Sequence, residues 1–311
     1  FLAPGGNADG DIRHRFVDKY AYDLCIVDGR DLVWSDRSST VWRIRDVYGN
    51  PSRPEPMNPS RAARPAHEGP ADESAARNVT TLLSGQGLLA FDDTGEIVSR
   101  KATGFHYLNR NRFAALAGDP ASGNLLAVME WLPRLYWLDA GTWEPLRHVD
   151  GWSMGFGTWP DLTLDESRRL AYLSLSLHDG SLFAVNLDDF TVTKKLPGLH
   201  AYECRMLPGA RELWCIRPMG GDLVAVDLDL FEVTRRFRVG PVPRALFIEP
   251  SGDVIYTLGY QGDIRRVDLA SGSISTIGWT GHWSRRLFVD HENRTIWVAS
   301  SRGIFRFPIT D

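Results

Sequence analysis

The sequence predicts an all-β chain folded as a seven-bladed β-propeller of four-stranded antiparallel blades. Three observations carry that expectation. A short apolar pattern ending in an acidic or small polar residue recurs seven times, its copies stand 40 to 47 residues apart, and no helical periodicity lies between them. Four short strands per ~40–45 residues is the signature of a propeller blade.

The copies are Val41-Trp42-Arg43-Ile44-Arg45, Leu88-Leu89-Ala90-Phe91-Asp92, Leu135-Tyr136-Trp137-Leu138-Asp139, Leu182-Phe183-Ala184-Val185-Asn186, Leu223-Val224-Ala225-Val226-Asp227, Ile264-Arg265-Arg266-Val267-Asp268 and Ile304-Phe305-Arg306-Phe307-Pro308. Their last positions are 45, 92, 139, 186, 227, 268 and 308, so the steps are 47, 47, 47, 41, 41 and 40. Each copy follows a Gly- and Asp-rich turn, such as Gly220-Gly221-Asp222 or Gln261-Gly262-Asp263. Before that turn comes an apolar strand, as over 170–175, 254–258 and 295–299. A polar strand closes each unit, as over 191–196, 233–239 and 273–277.

The chain is read as one propeller domain over 1–311, and its two irregular parts have distinct readings. Residues 11–19 are extended and polar, while the last blade, over 286–289, 295–299 and 303–307, lacks a fourth strand. The N-terminal stretch is expected to supply it, covering a bare edge and closing the ring. Residues 49–77 carry Pro51, Pro54, Pro56, Pro59, Pro65 and Pro70 among Ser, Arg, Ala and Glu. That composition reads as an exposed inserted loop, with at most a short inner strand near 64–69.

Composition removes several classes. The chain is 43% hydrophobic and 24% charged with a formal charge of −4, too apolar for a disordered chain and too evenly charged for a nucleic-acid partner. No apolar run approaches the ~20 residues of a membrane-spanning helix. The sequence opens on Phe1 rather than Met, which leaves no signal peptide to read. Three cysteines are too few for a disulfide framework. If strands over 202–207 and 212–217 pair Leu207 with Glu212, however, Cys204 falls opposite Cys215. Two buried thiols on one face and a disulfide both fit that register, and a bridge points to a periplasmic or extracellular compartment.

The repeat resembles bacterial seven-bladed propellers of the YVTN and WD40-like class over nearly the whole chain. Neither the Trp-Asp dipeptide nor the YVTN tetrapeptide occurs. The resemblance therefore implies architecture, and propellers host enzymes, binders and scaffolds alike.

Function is expected where inner strands and their entry loops converge. Those loops carry Gly104-Phe105-His106-Tyr107, then Gly151-Trp152 through Trp159, Gly198-Leu199-His200-Ala201-Tyr202, Gly240-Pro241-Val242-Pro243 and Gly278-Trp279 through His282-Trp283. Aromatic rings at a rim suit protein or glycan recognition, or cover the strand ends beneath. The first inner-strand residues align as Asp23, Asp161, Glu203, Arg244 and Arg285, with Arg112 less securely placed. They form either a salt-bridge ring or a polar site in which Arg244 and Arg285 clamp an anion. Two arginines argue against a lactonase-like cation site, although His106, His200 and His282 are conceivable metal ligands. Nucleophile-elbow, zinc-protease and haem-attachment motifs are missing.

The expectation is a non-catalytic scaffold or recognition propeller without cofactor or metal. Its binding residues are Trp152, Trp159, Trp279 and Trp283, with His200, His282, Asp161, Glu203, Arg244 and Arg285 at the channel mouth. The partner is another protein, a membrane-complex subunit included, or a glycan. A propeller hydrolase or small-molecule binder is the alternative.

Overall fold

The computed structural model describes residues 12–18, 21, 23–27, 29–35, 41–57, 80–84, 87–91, 97–102, 113–119, 121–129, 134–139, 142, 144–153 and 159–309. Across them the chain is all-β, with 27 strands, two 3-10 turns and no α-helix. Strand β1 (Arg15–Val17) precedes a four-stranded sheet of β2 (Asp23–Val27), β3 (Asp31–Ser35), β4 (Val41–Ile44) and β5 (Glu55–Pro56). A three-stranded sheet follows, of β6 (Thr80–Ser84), β7 (Gly87–Phe91) and β8 (Ile97–Ala102).

The next two sheets contain β9 (Phe113–Asp119), β10 (Asn124–Met129), β11 (Arg134–Leu138) and β12 (Pro145–Asp150), then β13 (Pro160–Asp165), β14 (Leu170–Leu175), β15 (Leu182–Asn186) and β16 (Val192–Leu196). Two more contain β17 (Glu203–Met206), β18 (Glu212–Arg217), β19 (Asp222–Asp227) and β20 (Glu232–Arg238), then β21 (Pro243–Ile248), β22 (Val254–Gly259), β23 (Asp263–Asp268) and β24 (Ile274–Trp279). The last is built from β25 (Ser284–Asp290), β26 (Thr295–Ser300) and β27 (Gly303–Pro308), with β1 hydrogen-bonded to β27 as its outer strand. Among the described residues there are thus six four-stranded antiparallel sheets and one of three strands.

Both irregular parts now have structure. Arg15 lies opposite Phe305 and Val17 opposite Ile304, so the N-terminal strand occupies the edge expected of it, though over three residues. Close approach there requires Gly303: its φ is +131°, and a Cβ would strike the Val17 carbonyl. The stretch 49–77 is not wholly an insertion. Glu55 and Pro56 pair with Arg43 and Trp42 as the outer strand of the first sheet. Proline is tolerated there because an edge strand has an unpaired side. Residues 58–79, including the expected strand near 64–69, lie outside the described residues.

The repeat has a physical cause at each of its signature positions. Its terminal Asp or Asn caps the turn after the third strand. Asn186 Oδ1 accepts from the Asp188 and Asp189 amides, Asp227 Oδ1 from Asp229 and Leu230, and Asp268 Oδ1 from Ser271. Short acceptor side chains are favoured at this position because they mimic a turn of backbone. In the second strand, Tyr172, Trp214, Tyr256 and Trp297 occupy equivalent register positions and are all at most 1% exposed. Tyr172 and Trp214 face Ala184 and Ala225 on the third strand, so a large ring meets a small residue.

The chain comprises two compact units, Phe1–Leu24 with Leu199–Asp311, and Cys25–Gly198. In the first, Trp214, Ile216, Val267 and Leu269 pack β17–β20 on β21–β24. Tyr256, Leu258, Val298 and Phe305 pack β21–β24 on β25–β27. In the second unit, Leu126, Trp137, Leu173, Phe183 and Phe190 join β9–β12 to β13–β16. Among the described residues no helix is long and apolar enough to cross a membrane.

Candidate functional site

Antiparallel connection places the turn between second and third strands on the same edge of a sheet as the loop entering its first strand. In the unit holding residues 199–311, that edge exposes three large apolar side chains: Met219 at 80%, Trp283 at 51% and Val242 at 38%. His200, Val242 and Trp283 hold equivalent loop positions with φ of 53°, 47° and 66°. Such values are uncommon for non-glycine residues and a true outlier for a β-branched one, so the surroundings must impose them.

At Trp283 those surroundings are visible. Its amide donates to the Tyr260 carbonyl at 2.9 Å, and its ring lies 5.6 Å from that of Tyr260. Beneath it, Thr280, Ser284 and Ser300 are fully buried. The Thr280 and Ser284 hydroxyls share a 2.6 Å hydrogen bond, Ser284 Oγ donates to the Gly281 carbonyl, and Ser300 Oγ donates to that of Thr280. Buried hydroxyls satisfied by loop carbonyls fix a loop more firmly than apolar packing alone.

The other expected rim residues divide. Trp152 is 6% exposed and packs at 5.5 Å from Phe183, so it covers strand ends and presents no surface. Trp279 ends β24 opposite Asp263 and is half-buried. Trp159, in the second unit, is 36% exposed, with its amide donating to Ser176 Oγ. His200 and His282 are half-buried. His106 and Arg112 lie outside the described residues.

The charged alignment needs correction by one residue. In β21 the register steps from Pro243 opposite Gly259 to Ala245 opposite Leu258, and in β25 from Ser284 opposite Ser300 to Arg286 opposite Ala299. Arg244 and Arg285 are thus the extra residues of two β-bulges. β13 and β17 have no such step, with Asp161 opposite Ser174 and Glu203 opposite Ile216. The residues level with Asp161 and Glu203 are Ala245 and Arg286, each the same number of residues ahead of its second-strand partner; it is the turn between second and third strands that shortens from sheet to sheet, which the spacing of the third-strand repeat carries into the first strand. Asp161 is half-buried in the second unit, and Asp23 lies in β2.

The arginines then take different environments. Arg244 lies over two rings, 5.5 Å from Tyr202 and 4.8 Å from Tyr260, and Arg285 lies 5.7 Å over Trp283. Glu203, 5% exposed, accepts from Arg205 and has Arg286 at 3.9 Å. A buried carboxylate between two guanidinium groups is an ion pair, the arrangement that makes burial tolerable. Sequence reasoning missed Arg205, Arg286, Met219 and Tyr260. Tyr260 was legible in principle, since its turn shares an edge with the loop of Trp283.

Cys204 and Cys215 face each other in β17 and β18 and are joined by a disulfide, their Cα atoms 4.1 Å apart. Among the described residues no group of three or more His, Cys, Asp and Glu side chains converges as a metal site requires. No protein-family model matches the chain, and no curated protein matches it either.

Proposed function

We propose that the chain is a seven-bladed β-propeller acting as a non-catalytic, exported recognition module that binds a protein partner through the loop edge bearing Trp283. One observation carries the reading: a half-exposed tryptophan is held at positive φ against Tyr260, over a buried hydroxyl network, with Met219 and Val242 exposed on the same edge. Large aromatic side chains presented rigidly lose little entropy on binding and dominate interface energies. Exposed Met219 and Val242 on the same edge favour a protein partner over a glycan, which needs mainly a flat stacking face.

Seven blades are supported by six four-stranded sheets and a seventh of three strands, at the spacing of the repeat. Ring closure is supported by the outer strand that β1 gives the last sheet. Export is supported by the buried Cys204–Cys215 bond, since such bonds persist in oxidising compartments. The ion pairing of Glu203 favours a structural role for that cluster over a hydrolytic one.

The test is photo-crosslinking in extract of the native cells, with the reactive residue placed at Trp283 or at Leu230, which is 67% exposed on the opposite edge. A discrete protein adduct at 283 and none at 230 is expected. Equal labelling at both, or none at 283, rejects this edge as the binding surface.

A further inference from the structure

On the Trp283 edge of the unit holding residues 199–311, backbone hydrogen bonds tie successive loops into one row. The Val239 amide donates to the Gly221 carbonyl at 3.0 Å, Tyr260 to Val242 at 2.9 Å, Trp283 to Tyr260 at 2.9 Å and Ser301 to Trp283 at 3.3 Å. Met219, Val242 and Trp283 stand exposed along that row. The segments over 199–202, 218–221, 239–242, 260–262, 280–283 and 301–302 contain no aspartate or glutamate. On the opposite edge of the same unit, the turns expose Asp229, Asp253 and Glu292. The two edges therefore differ in charge.

The carboxylates nearest this edge are already engaged or buried. Glu203, Asp222 and Asp263 open the strands behind it and are at most 5% exposed, and Asp18, after β1, meets Arg15 at 3.2 Å. Asp222 serves three guanidinium groups at once: Arg238 at 3.2 Å, Arg217 at 3.9 Å and Arg236 at 4.0 Å. Register puts all of them on one face, since Arg217 and Arg238 both lie opposite Asp222 and Arg236 is two residues from Arg238. One carboxylate cannot neutralise three arginines, and the side chains of Arg236 and Arg238 are 60% and 79% exposed. Among the described residues no other acidic side chain comes within ion-pair reach of these three. Arg238 also donates to the Gly220 carbonyl, so the surplus charge is held at the turn that bears Met219.

We propose that this edge receives an acidic protein surface. Apolar side chains of the partner meet Met219, Val242 and Trp283, while carboxylates flanking them pair with Arg236 and Arg238. The inference rests on the protein-binding reading of the same edge and adds the partner's charge to it. Guanidinium groups are weakly hydrated and match carboxylates in a two-pronged contact, so partly exposed arginines suit such a partner. Arg238 is already oriented by Gly220 and Asp222, which lowers the cost of ordering it on binding. A basic partner would meet like charge with no acidic loop residue to offset it, so the same arrangement selects against one.

The probe is a fluorescein-labelled copolymer of glutamate and tyrosine, titrated with the whole chain and followed by anisotropy. Polyglutamate, a lysine–tyrosine copolymer and phosphatidylcholine vesicles containing phosphatidylglycerol are the comparisons. The glutamate–tyrosine copolymer is expected to bind about tenfold more tightly than polyglutamate, with the lysine copolymer inert and affinity falling as salt rises. An Arg236→Gln, Arg238→Gln double variant and Trp283→Ala are each expected to weaken binding about tenfold. Arg211→Gln, at an exposed arginine of the opposite edge, should leave it unchanged. No binding, equal binding of the lysine copolymer, or full affinity in the folded double variant overturns the proposal. Should the double variant unfold, Arg236→Gln alone and the salt dependence of the parent carry the same decision. Vesicle binding without copolymer binding overturns it in favour of an anionic lipid surface. Crosslinking in extract separates this inference from the reading beneath it. A protein adduct at position 283 that ignores salt and the arginine substitutions sinks the acidic partner alone, whereas no adduct there rejects the edge itself.

Discussion

Arg147 and Arg235 hold corresponding places in two different sheets. Each crosses a tryptophan of its own sheet, Arg147 at 4.1 Å over Trp137 and Arg235 at 5.1 Å over Trp214. Each then donates to the carbonyl of the leucine after the third strand of the next sheet, Leu187 at 2.6 Å and Leu269 at 2.5 Å. One side chain thus satisfies a turn carbonyl and seals a ring against solvent, and the repeat places it between successive sheets.

Arg235→Ala is therefore expected to cost about 2 kcal/mol, from one charge-assisted hydrogen bond and one cation–π contact. The neighbouring Arg236, exposed and 4.0 Å from Asp222, is the control, and its alanine variant should stay within about 0.5 kcal/mol of the parent. Urea unfolding of both variants decides this. Equal losses would mean that the clamp contributes nothing specific.

The disulfide closes a short loop, its cysteines 11 residues apart. Its removal in a Cys204→Ser, Cys215→Ser double variant should cost about 2–3 kcal/mol on the loop-entropy account. Both cysteines are buried, at 1% and 0% exposure, so the folded protein should resist dithiothreitol that reduces the urea-unfolded chain. Thiol titration with and without urea measures this, and two reactive thiols in the folded protein would contradict it.

Gly303 is where the N-terminal strand meets the last sheet most closely. Gly303→Ala adds both a clash with the Val17 carbonyl and strain at a φ of +131°. The variant should lower the melting temperature and accelerate exchange of the Val17 amide while leaving amides of β17–β20 protected. Uniform loss of protection would show that the seam and the remaining sheets open together.

The sheets were readable because the repeat records local necessities: an Asx cap after the third strand and a buried apolar strand before it. Register within a hairpin was readable for the same reason, and pairing Leu207 with Glu212 placed Cys204 opposite Cys215 as observed. The candidate site was less legible. The turn between second and third strands shortens from Ile216–Leu223 to Leu258–Ile264 and Ala299–Ile304, so the spacing of the repeat placed the ring one residue out in two sheets. Trp152 and Trp283 look alike as Gly-flanked loop tryptophans, yet one packs on Phe183 and the other stands half in solvent. Only the packing around each distinguishes them.

Two buried aspartates should respond to pH in opposite senses. Burial pushes Asp119 up, but hydrogen bonds from Arg169 at 2.6 and 3.1 Å and from Ser122 outweigh it and hold its carboxyl below the usual range. A depressed folded value means stability that is present above the ordinary carboxylate range and lost as pH falls through the folded value. Asp119→Asn should accordingly cost about 2 kcal/mol near neutrality, with the deficit shrinking in acid. Asp263 is the reverse case: burial raises its pKa, and Arg265, 2.9 Å away, only partly offsets this. Its ionisation therefore lowers stability as pH rises from the ordinary carboxylate value through the raised one. Asp263→Asn, whose amide oxygen can still accept from Arg265, should raise the melting temperature near neutrality and converge on the parent in acid. Melting curves of both variants from about pH 4 to about pH 7 test the pair. If both deficits run the same way with pH, then Arg265 holds the Asp263 charge as firmly as Arg169 holds that of Asp119, and burial is not the deciding influence at that strand end.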